Sequence, residues 1–414
     1  MKSKVLYIFF FIVIIISSIF IGHENPEIVI NAKKNVNFFL KKIGLPDSFV
    51  PGNKTVLEES TQSKQTKIET FSANSFNFIY SKVMSIEGRS AAVLIDGENE
   101  NADYSFYTQS GLFLSKKNKK ELSLPINFTT EQDGGIKSVF KIKDKIFVLL
   151  SQIKGDCHFA SIINITEGIK ILDSNCIPDG KNVNFAGLGG GYIFKDGSII
   201  LSIGVPTHIS DEIDLLSQNK ESIFGKMLSF NVLELLENKD LYNFYTIGHR
   251  NPQGLVKYKN RIFSIEHGPQ GGDELNEIIK DNNYGWPVAS YGTRYNDGKS
   301  FARSHKRLNF KEPIFTFLPA VAPSSLTTCP KNLKEYYEDK ICLMGLSLKE
   351  MSILIILMNE DGKSVLNVEK IFLEKRMRHF GLNEKSEIYF DKEGYFYFSS
   401  DDDGLFKGKF TSFR

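Results

Sequence analysis

Three short motifs of polar side chains, glycine and proline crowd into residues 247–295. They are Gly248-His249-Arg250-Asn251-Pro252-Gln253-Gly254, then Glu266-His267-Gly268-Pro269-Gln270-Gly271-Gly272-Asp273-Glu274, then Asn283-Tyr284-Gly285-Trp286-Pro287. Such side chains are poor core fillers, and the flanking glycines and prolines fix the backbone that presents them. A loop of this kind aims backbone carbonyls at a metal ion and offers Arg250 and Asn251 to an anionic or carbonyl-bearing ligand. Any one motif alone reads as a surface turn carrying charge; all three in this order point to a site.

The elements that must hold these motifs are β-strands. Residues 255–265 alternate apolar and polar around Lys259-Asn260, the pattern of a hairpin with the motifs at its ends. Similar β-rich runs recur at 90–95, 105–108, 145–151 and 161–165, separated by Asp-Gly, Glu-Gly and Lys-Asn turns. Helical periodicity is nearly confined to 210–218 and 331–337. The chain is therefore all-β, although spacing alone does not separate a propeller from a pair of sandwiches.

Residues 247–295 resemble the central signature of the soluble glucose/sorbosone dehydrogenase family, the pyrroloquinoline quinone (PQQ)-dependent aldose sugar dehydrogenases. The likeness is dense there, looser from Gly187 to the carboxyl terminus, and faint before residue 135. It implies a six-bladed β-propeller over residues 73–414, with PQQ and calcium at the mouth of its central channel. The carbonyls matching the family's calcium ligands are those of Gly268 and Pro269; Glu274 and Tyr284 match a second, structural calcium site found in some members. Arg250 and Asn251 match the pair that reaches the quinone oxygens. Asp273 matches a carboxylate near the cofactor, and His267 takes the place of a cofactor-contacting glutamine. PQQ carries three carboxylates, and the matching cations are Lys349 in Ser347-Leu348-Lys349 and Arg376 and Arg378 in Arg376-Met377-Arg378. By residue type alone, an Arg-x-Arg pair is more often a solvated strand face.

The family's general base is a histidine in His-x-Gly-Gly-Arg, oriented by the aspartate of a following Gly-Asp. Here the matching stretch has Gly187 at the histidine position, Gly191 at the arginine and Val205 at the aspartate. No histidine lies between His158 and His208, so a shift of register does not restore the base. His208, just beyond Gly204, is the weak substitute.

The amino terminus carries Lys2 and Lys4 before an apolar run from Val5 to Ile21, long enough to come close to spanning a bilayer core of ~30 Å. Residues 1–23 are expected to be an uncleaved signal anchor, or alternatively a cleaved secretory signal. Residues 24–72 are expected to form an amphipathic juxtamembrane segment and a polar tether. Net charge is +2, with no basic stripe interleaved with aromatics, so nucleic acid is not a supported partner. Cys157 with Cys176 and Cys329 with Cys342 lack zinc-site spacing; in a translocated domain they form two local disulfides, the alternative being four buried thiols.

The expected function is PQQ- and calcium-dependent oxidation of an aldose sugar at the periplasmic face of a membrane, with altered base chemistry and a respiratory electron acceptor. The alternative is a non-catalytic propeller binding a carbohydrate, quinone or protein partner. A calcium-dependent lactonase would need a ring of channel-facing Asp, Asn and Glu side chains, and the sequence offers no clear set.

Overall fold

The computed structural model describes residues 68–413, apart from 73–75, 98–101, 208, 303, 339 and 402. The expected anchor over 1–23 and most of the expected tether lie outside the described residues. No described helix is long and apolar enough to cross a membrane. The first described strand, Ile68–Ser72, falls inside the segment expected to be tether and pairs with Phe76–Met84.

The described chain is all-β. Four antiparallel sheets of four strands follow one another along the sequence, and a nine-stranded sheet holds the remainder. That larger sheet is two antiparallel groups joined by a short parallel contact, Gly381 opposite Val93 and Leu382 opposite Leu94. There are thus six groups, and their first strands are Ser90–Asp96, Ile136–Ile142, Gly189–Lys195, Pro252–Tyr258, Pro323–Thr328 and Met377–Leu382. Each first strand touches the first strand of the next group, and the sixth touches the first. The ring is closed, consistent with a six-bladed β-propeller.

Burial follows from that arrangement. In the fifth group, Ile341–Ser347 is buried at every position because neighbouring sheets cover both its faces. The outermost strand of that group, Val365–Phe372, is mostly exposed or half-buried. Tight hairpins join the strands: Asp196 and Gly197 both take positive φ, 49° and 74°, as a two-residue turn of type I′ requires. The hairpin read at Lys259 is present, between Pro252–Tyr258 and Arg261–Glu266. The helical stretches read at 210–218 and 331–337 appear as short turns of helix, Asp211–Asp214 with Leu215–Ser217, and Lys331–Tyr336.

Both disulfides form, Cys157–Cys176 and Cys329–Cys342, with Cα separations of 5.2 and 5.4 Å. Each joins residues close in sequence, so each fastens a local segment rather than the ring.

Candidate functional site

Strand register alone gathers the motifs. In each group the second strand runs back antiparallel, so its end lies beside the start of the first. Pro252 faces Glu266, Pro323 faces Ser347, Met377 faces Ser400 and Gly189 faces Ile203. The six first strands run the same way around the ring. Arg250 and Asn251, the 267–272 loop, Lys349, Arg376, Arg378 and the Gly187 loop therefore all emerge at one end of it.

Hydrogen bonds cross between groups at that end. The Val205 amide donates to the Arg250 carbonyl at 2.7 Å, while within the fourth group the His267 amide donates to the Asn251 carbonyl at 3.0 Å. A ring nitrogen of His267 meets the Pro323 carbonyl at 2.7 Å, and the Ser324 hydroxyl donates to the Met377 carbonyl at 2.6 Å. Asp273, almost fully buried, accepts from three amides: Gly268 at 2.9 Å, Val321 at 2.8 Å and Ala322 at 2.7 Å. The carbonyls of Val321 and Ala322 in turn accept from the amides of Lys349 and Leu348. Asp273 thus acts as the clamp that holds the Gly268 loop against the neighbouring group.

Arg250 is buried, donates to the His267 carbonyl at 3.3 Å and lies over the Trp286 ring, 5.4 Å from its centre. The Trp286 indole N–H donates to Asp214 at 3.1 Å, and burial pushes that carboxyl up to about 6 although Arg250 and the indole both favour its charge. The third motif therefore braces the guanidinium. The Asn251 side-chain oxygen accepts from the Gly189 amide at 3.1 Å and from Gln253 at 2.7 Å, and its NH2 donates to the Ala186 carbonyl at 3.3 Å. The Asn251 amide ties the 250–251 turn to the loop that carries Gly187. Burial pushes the His267 imidazole below its usual value; Asp273 opposes the shift, and Arg250 and Arg378 reinforce it.

Arg250 lines a small cavity of about 10 Å³ together with, among others, Glu266, Gly268, Pro269, Glu274 and Tyr284. Asn276 donates to Glu266 at 2.9 Å and to Glu274 at 3.1 Å, yet one oxygen of the buried Glu266 accepts no hydrogen bond. Burial, and then the Glu266 charge, push the Glu274 carboxyl well above its ordinary range. Among the described residues, the Gly268 and Pro269 carbonyls accept no hydrogen bond either. Two carboxylates and free carbonyls form the oxygen donor set of a hard cation. No group of three or more His, Cys, Asp or Glu within metal-binding reach exists among the described residues. The Tyr284 hydroxyl donates to the Glu277 carbonyl at 2.6 Å and accepts from the Ile279 amide at 2.9 Å. Glu266, beside Glu274 in this cavity, was missed in the sequence; its position one residue before His267 in the same motif was the available signal. His249 points into the blade, against Thr246 at 2.8 Å and stacked on Tyr284.

The remaining cations differ in state. Lys349 is exposed, and its ammonium forms no ion pair among the described residues. Arg376 is exposed. Arg378 is buried and held by Asp401 through two bonds of 2.6 and 2.5 Å, so its charge is already opposed. Asp401 was not legible as a site residue in the Asp-Asp-Asp-Gly tail. Lys137, at the start of the second group, was also missed: it is buried, near Arg378, Arg89, Asp133 and Asp401.

The base position remains without a base. Gly187 is buried in a turn of 3-10 helix, and a β-carbon added there would lie 2.2 Å from the Val205 carbonyl oxygen. One added at Gly204 would lie 2.1 Å from the Gly187 carbonyl oxygen, so the two turns are in backbone contact. Gly191 lies in the buried first strand, against Leu255. His208 lies outside the described residues.

The family model for Glucose / Sorbosone dehydrogenase matches residues 187–404, just over half of the chain. An uncharacterized protein of Synechocystis is 34% identical over 209 residues, 47% of this chain and 50% of that protein. Quinoprotein glucose dehydrogenase B of Acinetobacter calcoaceticus is 37% identical over 92 residues, 20% of this chain and 19% of that protein. The matched stretches thus span half or less of these relatives. The crystal structure of the soluble aldose sugar dehydrogenase from Escherichia coli in the apo-form superposes with a TM-score of 0.64, at 19% identity, over 80% of this chain and 99% of that one. It is similar in fold.

Proposed function

The chain belongs to the glucose/sorbosone dehydrogenase family, and from that premise we propose that it oxidises an aldose sugar with PQQ and calcium held where the strand starts converge. What supports this reading is that strand register brings Arg250, Lys349, Arg376 and Arg378 to the same end of the ring as the Gly268 and Pro269 carbonyls, which accept no hydrogen bond among the described residues.

Bound there, PQQ would supply a two-electron acceptor and calcium would make its quinone more electrophilic. The Gly268 and Pro269 carbonyls would hold the cation, kept in place by the Asp273 clamp. Glu266 and Glu274 would hold a second cation, which removes their mutual repulsion. Arg250, fixed by Trp286 and the His267 carbonyl, offers its remaining donors to developing negative charge. Lys349, Arg376 and Arg378 would meet cofactor carboxylates, Arg378 oriented by Asp401. The apolar run over 1–23 would tether the domain at the periplasmic face, near a respiratory electron acceptor.

A second reading, a non-catalytic binder of a carbohydrate, quinone or protein, is favoured by one observation: the base position is closed by backbone at Gly187. Adding PQQ and calcium to the full chain and titrating aldoses with a dye acceptor separates the two. Dye reduction supports oxidation, and a cofactor absorbance shift without it supports the binder. No shift removes both PQQ-based readings. Arg250→Ala is expected to abolish that shift; unchanged affinity would contradict the role given to Arg250.

A further inference from the structure

The third motif is gripped by a short helical segment of another group. Asp211–Asp214 with Leu215–Ser217 lies between the second and third strands of the third group, whereas Trp286 follows the third strand of the fourth. The Trp286 carbonyl accepts from the Ser217 hydroxyl and from the Gln218 side-chain amide, each at 2.6 Å. Gln218 and Asn283 exchange side-chain amide bonds of 3.1 and 2.7 Å, and the Trp286 amide donates to the Gly248 carbonyl at 2.9 Å. These bonds fix the backbone of the motif. The ring itself is held by Asp214, which is buried and accepts the indole N–H at 3.1 Å. An indole has a single N–H donor, so Asp214 takes the whole of its hydrogen-bonding capacity.

The indole is one member of a row. Arg250 lies over it, 5.4 Å from the ring centre, and Phe301 packs against it at 5.0 Å. Arg294 lies over Phe301 at 5.2 Å and bonds both oxygens of Asp211, at 2.9 and 3.0 Å. One helical turn thus holds the row at two places, Asp214 at its buried part and Asp211 at its exposed end. Arg378, Arg261 and Arg294 are each bonded to a carboxylate. Arg250 is bonded to the His267 carbonyl and, among the described residues, to no carboxylate. A carboxylate bonded to Arg250 would fix it by occupying its donors. An aromatic face fixes a guanidinium through its plane and leaves the donor edge to a ligand.

We propose that Asp214 is a positioning residue for Arg250: by holding the Trp286 indole, it sets where the guanidinium presents its donors. The inference deepens the oxidation reading of the proposed function and rests on it for the ligand that Arg250 meets. The charged groups acting on the Asp214 carboxylate are Arg250, Asp211 of its own turn and Arg294 of the 278–314 loop. Lys226, on the strand that follows, bonds the carbonyls of Leu216 and Ser217. Burial outweighs the two arginines and pushes the carboxyl up to about 6, so it is ionised at neutral pH.

Trp286 is the chain's only tryptophan, so its emission reports this contact without any cofactor. In the full chain the emission is expected to shift as pH falls through about 6, where Asp214 takes up a proton. Asp214→Asn keeps an acceptor for the indole but does not titrate, and is expected to lose that shift. An unchanged shift in Asp214→Asn would overturn the inference, and because Asn keeps the site polar this arm does not depend on a destabilised chain. The second arm is affinity for PQQ in the presence of calcium, read from the cofactor's absorbance. Asp214→Leu removes the acceptor, and Trp286→Phe removes the donor while keeping a ring. Each is expected to weaken binding ~10-fold, with Asp214→Asn recovering most of the loss. Because Asp214 acts through the indole, the double variant Asp214→Leu with Trp286→Phe should bind no more weakly than either single one. Losses that add, to ~100-fold in the double variant, or wild-type affinity in Asp214→Leu, would overturn the role and leave the oxidation reading standing. No absorbance shift with the wild-type chain would bring down the reading and the inference together.

Discussion

At the scale of single residues, the decisive position is a glycine. The sequence shows that Gly187 stands where the family has a histidine, but not whether a histidine would fit. The Val205 carbonyl oxygen, 2.2 Å from an added β-carbon, is backbone and has no rotamer to yield. Gly187→His is therefore expected to destabilise the fold by about 1–3 kcal/mol through overpacking, read by urea unfolding, and not to raise turnover. A stable and more active Gly187→His chain would contradict this geometry. Lys137 shows the reverse limit of sequence reading. In Gly-Gly-Ile-Lys-Ser it looks like an ordinary strand lysine, and only folding reveals that its ammonium is enclosed. Lysine is a common surface residue, so its type carries no signal of burial.

At the scale of elements, the site is positioned by strand register and one carboxylate. The alternation over 255–265 was enough to place Arg250 and His267 at the same end of a hairpin, because a hairpin returns the chain to its start. The link to the next group was not legible, since it depends on the Asp273 side chain reaching Val321 and Ala322, distant in sequence. Asp273→Ala leaves three amides without their acceptor, and is expected to cost at least ~3 kcal/mol and to loosen the Gly268 loop. The measurement is the unfolding free energy, together with amide exchange at Gly268, Val321 and Ala322. Exchange as slow as in the wild type would remove the clamp from the account. Asp273→Asn should fall between the two, because an amide offers one acceptor atom where the carboxylate offers two.

At the scale of the whole molecule, the ring is closed by its own beginning. Phe76–Met84 pairs with Gly404–Phe413, the last strand, and completes the sixth group. Phe78 packs against Phe396, Phe398 and Phe410, and Phe76 against Phe410. Removing residues 1–84 would expose this aromatic core and a strand edge, so the shortened chain is expected to lose cooperative unfolding and to aggregate. A soluble, cooperatively unfolding truncation would show that the ring does not need this closure.

The sequence by itself determined the all-β class, the pairing of the cysteines as neighbours along the chain, and the presence of the three motifs. Each of these is written in local order: periodicity, spacing and turn residues act over a few positions. Only the tertiary structure decided that Asn276 joins Glu266 to Glu274, that Arg378 is already held by Asp401, and that Asp133 is bonded to the loop carrying Gly187. The first two facts depend on strand pairing within a sheet and the third on the packing of one sheet against the next, steps that act between residues separated along the chain.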